Sequence, residues 1–118
     1  SDYSGRAISL NAAGDRIAIG GIYNDGGGSN SGNVRVYELN GTNNWSQVGS
    51  DYDGDGSQNY LGHAVSMNAK GDKFIGGAYY ANSQRGYAKV FESNEFCATP
   101  LTITIHDGVF STFSYMNP

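Results

Sequence analysis

The sequence predicts an all-β protein, with two four-stranded antiparallel sheets of the propeller-blade type followed by a C-terminal β-hairpin. Three observations support this fold class. A segment that begins at Ser4 returns in altered form at Leu61, an offset of 57 residues. Glycine accounts for 18 of 118 residues and charged residues for only 15%, which disfavours helices and suits short strands with tight turns. Within each segment, apolar and polar residues alternate as they do in half-buried strands.

The repeat divides the chain into three parts. Residues 1–57 form the first repeat, residues 58–94 contain the core strands of the second, and in residues 95–118 the repeat stops. A repeat of about this length indicates propeller blades or a stacked array. Because closed propellers contain about 4–8 blades, two repeats predict part of a larger propeller, one part of an oligomer that completes it, or a subunit of an open stack. The lack of an initiator methionine predicts a processed chain or a fragment.

The first predicted strand has two unlike faces. Apolar Ile8 and Leu10 alternate with small Ala7 and Ser9, and the second repeat keeps this alternation. One large face and one small face suit a sheet that packs on both sides with unequal clearance. The predicted strands of the first repeat are 6–11, 16–21, 33–39 and 45–49.

The second repeat is shorter and ends differently. Its predicted second and third strands are 73–77 and 87–93, and aligning the two Gly-Gly pairs makes the second strand one residue shorter than its counterpart. Two further strands, 101–105 and 109–115, form a hairpin that supplies the missing fourth strand or pairs with a neighbouring chain. No helix is predicted anywhere in the chain.

A series of motifs runs through the first repeat in a fixed order. Gly-x-Ala-x-Ser-x-Asn-x-x-Gly-Asp precedes Ile-x-Ile-Gly-Gly, Asn-Asp-Gly, Ser-Gly-x-Val-Arg-Val-Tyr and Trp-x-Gln-x-Gly-x-Asp-x-Asp-Gly. Over residues 2–94, this order resembles the FG-GAP-like, integrin-α-type β-propeller repeats of secreted and surface proteins. The resemblance implies four-stranded blades, an extracellular or cell-surface location, and an adhesion or binding role without enzymatic activity.

An acidic segment between the repeats is a candidate calcium loop. Carboxylates at positions 1, 3 and 5, Gly at 6, a backbone carbonyl at 7 and a closing ligand at 9 are typical of loops that wrap a hard cation. In integrin-type blades the calcium loop lies between the first two strands, whereas this segment lies between repeats. The alternative is a solvated linker whose Asp and Gly residues make turns. The candidate ligands are Asp51, Asp53, Asp55, Ser57 and Asn59.

Two predicted glycosylation sites lie in one polar turn. Asn40 and Asn44 each begin an Asn-x-Ser/Thr triplet, where a glycan would project into solvent in a secreted eukaryotic protein. Cys97 is the only cysteine, so no internal disulfide forms. We interpret Cys97 as a partly buried small residue rather than as a nucleophile.

Aromatic residues offer a second kind of binding surface. They could stack on sugar rings, although most aromatics in small sheets are packing residues. The candidates are Tyr3, Tyr23, Tyr37, Trp45, Tyr79 and Tyr80.

Charge and hydropathy narrow the choice of partners. The net charge of −4 argues against a nucleic-acid partner, and no apolar run approaches the roughly 20 residues of a membrane span. The sequence therefore predicts a non-enzymatic extracellular structural or adhesion module. It would assemble with further copies of itself or with sibling blades, as in a filament or surface layer, by packing its blades and edge strands. The alternative is a lectin-like propeller fragment that binds a carbohydrate or protein ligand.

Overall fold

A computed structural model describes residues 1–92, 101–106 and 109–114, the last two ranges by their backbone. The first repeat forms a four-stranded antiparallel sheet, sheet 1, in which neighbours along the chain are neighbours in the sheet. Its strands are β1 (Ser4–Leu10), β2 (Arg16–Gly21), β3 (Asn33–Asn40) and β4 (Asn44–Asp53). Short turns join β1 to β2 and β3 to β4, and a longer loop, residues 22–32, joins β2 to β3.

The second repeat forms sheet 2 with the same antiparallel order. Three strands carry the repeat, and the C-terminal hairpin adds two more, with β8 in the fourth-strand position beside β7. The all-β class is therefore confirmed. The strands are β5 (Ala64–Met67), β6 (Lys73–Ala78), β7 (Tyr87–Glu92), β8 (Leu101–His106) and β9 (Val109–Ser114). Cys97 lies outside the described residues.

The first turn of each repeat is built by the same side chains. Asn11 Oδ1 accepts hydrogen bonds from the backbone N–H groups of Asp15 and Arg16, each at 3.0 Å. Asn68 Oδ1 likewise accepts from Lys73 N–H at 3.1 Å. An Asn side chain that bonds nearby backbone fixes a tight turn, so the repeated Asn in the sequence marks a repeated structural device.

Strand pairing corrects the alignment of the two glycine pairs. Ala7 pairs with Gly20, and Ala64 pairs with Gly77, so the offset of 57 residues continues through the second strand. The strands β2 and β6 are both six residues long. The predicted shortening of the second copy is wrong, because Ala78 rather than a glycine occupies the place of Gly21.

Two local predictions also differ from the structure. The part of the chain that the structure describes includes a helical turn, α1 (Ala81–Gln84), in which Asn82 and Ser83 have positive φ angles of 53° and 58°. A single irregular turn leaves no periodicity in the sequence. In addition, β4 continues past position 49 to Asp53, because an irregularity in its pairing with β3 allows Tyr52 to rejoin the ladder opposite Val34.

The two sheets pack face to face around one core. Tyr52 of sheet 1 contacts Phe74 and Phe91 of sheet 2, with ring centroids 5.4 and 4.7 Å apart. Aromatic and β-branched side chains on one face of each sheet thus bury each other. The cluster contains Ala18, Val34, Val36, Val48, Tyr52, Leu61, Met67, Phe74, Ala78, Ala81 and Phe91. Within the described residues, no helix is long and apolar enough to cross a membrane.

Candidate functional site

Sheet 1 presents small side chains to sheet 2. Strand pairing places Ser9 beside Ala18, and Gly20 beside both Ala7 and Val34. Paired residues point to the same side of a sheet, so these residues line one surface, which we call the small face of sheet 1. Its members on β1, β2 and β3 are Ala7, Ser9, Ala18, Gly20, Val34 and Val36, and β4 adds the larger Val48 and Tyr52 at the same face.

Sheet 2 presents larger side chains to that surface. Its large face has Lys89 beside Gly76, and pairing places on the same side the apolar or small positions Val65, Met67, Phe74, Gly76 and Phe91. These positions correspond to Ile8, Leu10, Ile17, Ile19 and Tyr37 of the first repeat, which lie on the opposite face of sheet 1. The two sheets therefore pack front to back, with unlike faces in contact, as consecutive members of a stack.

The closest approach between the sheets requires glycine. A Cβ atom on Gly20 would lie 2.1 Å from the carbonyl oxygen of Gly62, a separation that real atoms do not adopt. Nearby, Gly32 forms a parallel bridge with Leu61, whose side chain is fully buried. The segment 60–62 thus fills the small face of sheet 1 with backbone and one leucine.

Three of the hydrogen bonds between the two repeats lie at the edge strand and first turn of the second repeat. All three run from the small-face side of the first repeat to the edge strand or first turn of the second. Ser9 Oγ accepts a hydrogen bond from Met67 N–H at 3.0 Å. Ala12 N–H donates to the Ala69 carbonyl at 2.9 Å, and Arg16 Nη1 donates to the Gly71 carbonyl at 3.0 Å.

The opposite face of sheet 1 is open to solvent within the described residues, and it carries large apolar side chains beside the Arg35–Asp51 ion pair. Ile8 is 62% exposed, Leu10 54% and Trp45 44%. Together with half-buried neighbours they make a contiguous surface of the kind that marks an interaction site. We call it the large face of sheet 1, and its members are Ile8, Leu10, Ile17, Ile19, Tyr37 and Trp45.

The opposite face of sheet 2 carries small residues and a depression. Pairing places them on one side, which we call the small face of sheet 2: Ala64, Ser66, Ile75, Gly77, Ala88 and Val90. A cavity of about 500 Å³ opens on this face, with His63, Tyr79, Arg85 and Gly86 at its margin. Its lining is mainly apolar, so water is poorly held there.

The tyrosines form a ladder across the repeat boundary. Tyr3 packs on Tyr23 with ring centroids 4.7 Å apart, and their counterparts Tyr60 and Tyr80 pack at 5.8 Å in a similar edge arrangement. Tyr23 and Tyr60 link the two pairs at 5.8 Å. These tyrosines therefore contribute packing between repeats, and the exposed parts of Tyr3 and Tyr79 remain at the surface.

The outer carboxylates of the acidic segment are paired with cations of the chain. Asp51, which is exposed on β4, forms a bidentate ion pair with Arg35 at 2.9 Å. Asp55 forms an ion pair with Lys89 of sheet 2. A calcium ion at this segment would have to compete with both cations. Among the described residues, no group of three or more His, Cys, Asp or Glu side chains forms a metal site.

Another candidate ligand, Asn59, is connected to Asp55 through the Tyr87 hydroxyl, which accepts a hydrogen bond from the Asp55 N–H at 3.0 Å. Asn59 is buried and its Oδ1 accepts a hydrogen bond from the Tyr87 hydroxyl at 2.9 Å. Burial raises the pKa of Tyr87 to about 12. Asp53 is half-buried, whereas Ser57 is exposed beside Gly28. These contacts favour the linker interpretation of the segment.

The two neighbouring carboxyls on β4 have opposite electrostatic settings. Hydrogen bonds from Arg35 and Gln47 hold the pKa of Asp51 below its usual value. Desolvation, and then the nearby charge of Asp51, raise the pKa of Asp53. Asp51 is thus stabilised in its charged form, while Asp53 is not.

The predicted glycosylation sites occupy an exposed hairpin. Asn40 and Asn44 pair with each other at the ends of β3 and β4, and both are exposed. The side-chain amide of Asn40 donates to the Ser46 hydroxyl. His63, which the sequence places at the position of Arg6, lies 3.1 Å from the Arg6 guanidinium through its Nε2. It is a polar residue that contacts the edge strand β1.

Neither a scan of protein-family models nor a search of curated proteins finds a match to this chain. Gly62, Leu61 and Gly86 belong to the site without any motif that predicts a role for them, although the first two lie in the repeated segment. The cavity has no sequence signal, because it arises where three strands, β5 to β7, meet the loop that carries Arg85 and Gly86.

Proposed function

We propose that this chain is a non-enzymatic structural or adhesion module that associates with further copies of itself or with sibling blades. Its place outside the cell, and its kinship to FG-GAP-like repeats, rest on the order of sequence motifs alone. The proposal is carried by one observation: the exposed large face of sheet 1 has the same design as the face that sheet 2 buries in the core.

The exposed positions are strongly apolar. Leu10 and Ile8 correspond to Met67 and Val65, and Met67 is only 8% exposed. Covering one aliphatic side chain contributes about 1.5–3 kcal/mol. A surface with several such side chains favours association, and a partner sheet is the cover that the core itself uses.

The strand edges support the same proposal. In sheet 1 the outermost strands are β1 and β4, and in sheet 2 β5 lies at one edge. Unpaired backbone N–H and C=O groups along an edge strand favour pairing with another chain. Packing one sheet face on another would also bring such edges close to each other, so both contacts favour association.

Sedimentation velocity over a range of protein concentrations tests this proposal. We expect the 118-residue chain to associate as concentration rises, and Ile8→Arg to remain monomeric because a charge replaces an apolar contact. Asn43→Arg, at the exposed tip of the β3–β4 hairpin, is the matched control and should associate normally. A chain that stays monomeric at all concentrations would contradict the proposal.

Calcium is not part of the proposed association. Asp51 and Asp55 are neutralised by cations of the chain, so we expect neither EDTA nor added calcium to change the sedimenting mass or the Tm. A rise in Tm with calcium that EDTA reverses would instead support the loop of Asp51, Asp53, Asp55, Ser57 and Asn59, because a ligand that binds only the folded state stabilises it.

The alternative function is carbohydrate binding by exposed aromatics. Trp45 is 44% exposed and Tyr79 52%, so either ring offers a stacking surface for a sugar. Glycan-array binding that is lost in Trp45→Ala and kept in Tyr79→Ala would place the sugar on sheet 1. Binding that is lost in Tyr79→Ala and kept in Trp45→Ala would instead place the sugar at the cavity of sheet 2. If the unmodified chain binds no glycan, the carbohydrate-binding alternative is contradicted.

A further inference from the structure

We infer that copies of this chain associate in one direction, with the large face of sheet 1 in one copy packed on the small face of sheet 2 in the next. Residues 3–5 of the incoming copy occupy the cavity on sheet 2. This inference rests on the proposed self-association and specifies its geometry. The contact between the two sheets inside one chain is the template.

The template shows what fills such a cavity. On sheet 1, the positions equivalent to the cavity lining are Ala7, Gly20 and Gly32, and they are covered by residues 60–62. Their counterparts on sheet 2 are Ala64, Gly77 and Gly86, and they line the open cavity. The same depression therefore occurs twice, filled in one repeat and open in the other.

The segment that would fill the open cavity already has the required shape. Tyr3 has a φ of 52° and Gly5 of 92°, while their counterparts Tyr60 and Gly62 have 56° and 95°. Left-handed φ is uncommon for tyrosine, so its occurrence at both equivalent positions indicates one conserved backbone form. Residues 3–5 are thus preorganised to sit where residues 60–62 sit in the template.

The receiving site has the same shape as its template as well. Gly86 has a φ of 76° and Gly32 a φ of 77°, although the loops that precede them differ in length. Gly32 forms the parallel bridge to Leu61. Gly86 is therefore placed to bridge Ser4 of an incoming copy in the same way.

Two of the three hydrogen bonds at the edge strand and first turn of the second repeat have an equivalent set of groups on the open faces. Exposed Ser66 is the equivalent of the acceptor Ser9, and Leu10 N–H of the incoming copy is the equivalent of the donor Met67 N–H. Lys73, also exposed, replaces Arg16 as the donor toward the first turn. The polar pattern thus repeats together with the apolar one.

The tyrosine ladder extends in the same direction. Within the chain, Tyr23 of one repeat contacts Tyr60 of the next. The equivalent contact between copies joins Tyr80, which is 38% exposed, to the incoming Tyr3, which is 57% exposed. Such a contact covers aromatic surface that is otherwise open.

One position differs between the template and the proposed contact. Leu61 is fully buried in the template, whereas the equivalent residue in the incoming segment is Ser4. A serine leaves part of the apolar cavity unfilled, so the contact between copies is weaker than the one inside the chain. Because unlike faces meet, the association is head to tail and can extend into an open chain.

A mixing experiment tests the direction. Ile8→Arg blocks the large face of sheet 1, and Ala64→Arg blocks the small face of sheet 2. Both residues are exposed, so neither change disturbs the core. In sedimentation velocity we expect each variant alone to be monomeric and the mixture to form a 1:1 dimer that grows no further. Leu10→Arg and Ser66→Arg form a second pair if either first variant fails to fold.

The other outcomes of this experiment overturn the inference in distinct ways. If Ala64→Arg associates as the unmodified chain does, like faces meet and the direction is wrong, while self-association stands. If the two blocked variants fail to combine, the pairing of these faces is wrong. If the unmodified chain never associates, the proposed function fails together with the inference.

A gain-of-function variant tests the cavity itself. Ser4→Leu restores the residue of the template, and we expect it to tighten association by roughly tenfold or more, as expected for burying a leucine side chain. Asn43→Leu adds the same side chain at the exposed hairpin tip and should leave the association constant unchanged. If the chain associates but Ser4→Leu is no tighter than Asn43→Leu, residues 3–5 do not enter the cavity.

Discussion

Leu10 and Met67 occupy the same place in the two repeats, yet Leu10 is 54% exposed and Met67 only 8%. Both lie on the large face of a sheet, next to equivalent strands. The difference comes from what lies above them, since the small face of sheet 1 covers Met67 and no described residue covers Leu10 in the same way. An alternating strand thus defines which side chains share a face, while a neighbouring sheet decides whether that face is buried.

The largest expected effect is a difference in the free energy of unfolding between truncations on the large face of sheet 2 and on the large face of sheet 1. Phe74→Ala removes a ring that is 1% exposed and stacks on Phe91 at 4.7 Å, so we expect a loss of about 3–5 kcal/mol in the free energy of unfolding. Ile17→Ala, at the half-buried counterpart, should cost less than about 2 kcal/mol. Urea denaturation of the monomer measures both. Equal losses would mean that the large face of sheet 1 is also covered.

The next effect is a difference in monomer stability between glycine substitutions on the small faces of the two sheets. Gly20→Ala places a Cβ atom 2.1 Å from the Gly62 carbonyl oxygen, whereas Gly77→Ala meets nothing closer than 3.9 Å. We expect Gly20→Ala to destabilise the monomer by about 1–3 kcal/mol and Gly77→Ala to leave it within about 0.5 kcal/mol. Thermal unfolding at low protein concentration provides the measurement. A loss of the same size in both variants would contradict the front-to-back packing.

A smaller effect concerns the hydroxyl groups of the small faces. Ser9→Ala removes the acceptor for the Met67 N–H, and we expect a cost of about 0.5–1.5 kcal/mol to the monomer. Ser66→Ala should leave monomer stability unchanged and weaken association between copies instead. Urea denaturation and sedimentation velocity report the two quantities separately. Weaker association in Ser9→Ala with unchanged monomer stability would reverse the assignment.

The smallest expected effect is the pH dependence of the ion pair on the open side of sheet 1. The pKa of Asp51 is lowered in the folded chain, chiefly by its hydrogen bond from Arg35. Its contribution to stability is therefore present above the usual Asp pKa and disappears as pH falls through the lowered value. Because the pair is partly exposed, we expect Asp51→Asn to cost well under about 1 kcal/mol at neutral pH.

Asp53 provides the matched control for that titration, because its pKa is raised by burial. Its charge opposes folding at neutral pH, and stability is gained as pH falls through the raised pKa. Asp53→Asn should therefore stabilise the chain slightly at neutral pH and lose this advantage in acid. Urea denaturation at pH 3 to 7 distinguishes the two signs, and the same sign for both variants would contradict these environments.

Much of the fold follows from local signals in the sequence. The alternation at Ile8 and Leu10 indicated the faces of β1, and the repeated Asn11 and Asn68 lie at the repeated turns. The extension of β4 and the turn α1 were not predicted. An irregular pairing and a single turn with positive φ depend on contacts with β3 and with the loop, which leave no periodic signal.

The candidate site likewise has features that the sequence predicts and features that only the tertiary structure decides. The sequence by itself determined that the first strand of each repeat has one large and one small face, because side-chain direction in a strand alternates with every residue. Only the tertiary structure decided that unlike faces meet, that residues 60–62 fill one depression and that its counterpart beside Ala64 stays open. Those outcomes depend on the approach of segments far apart in the chain, where Gly20 and Gly62 allow two backbones to touch, and no local pattern encodes that distance.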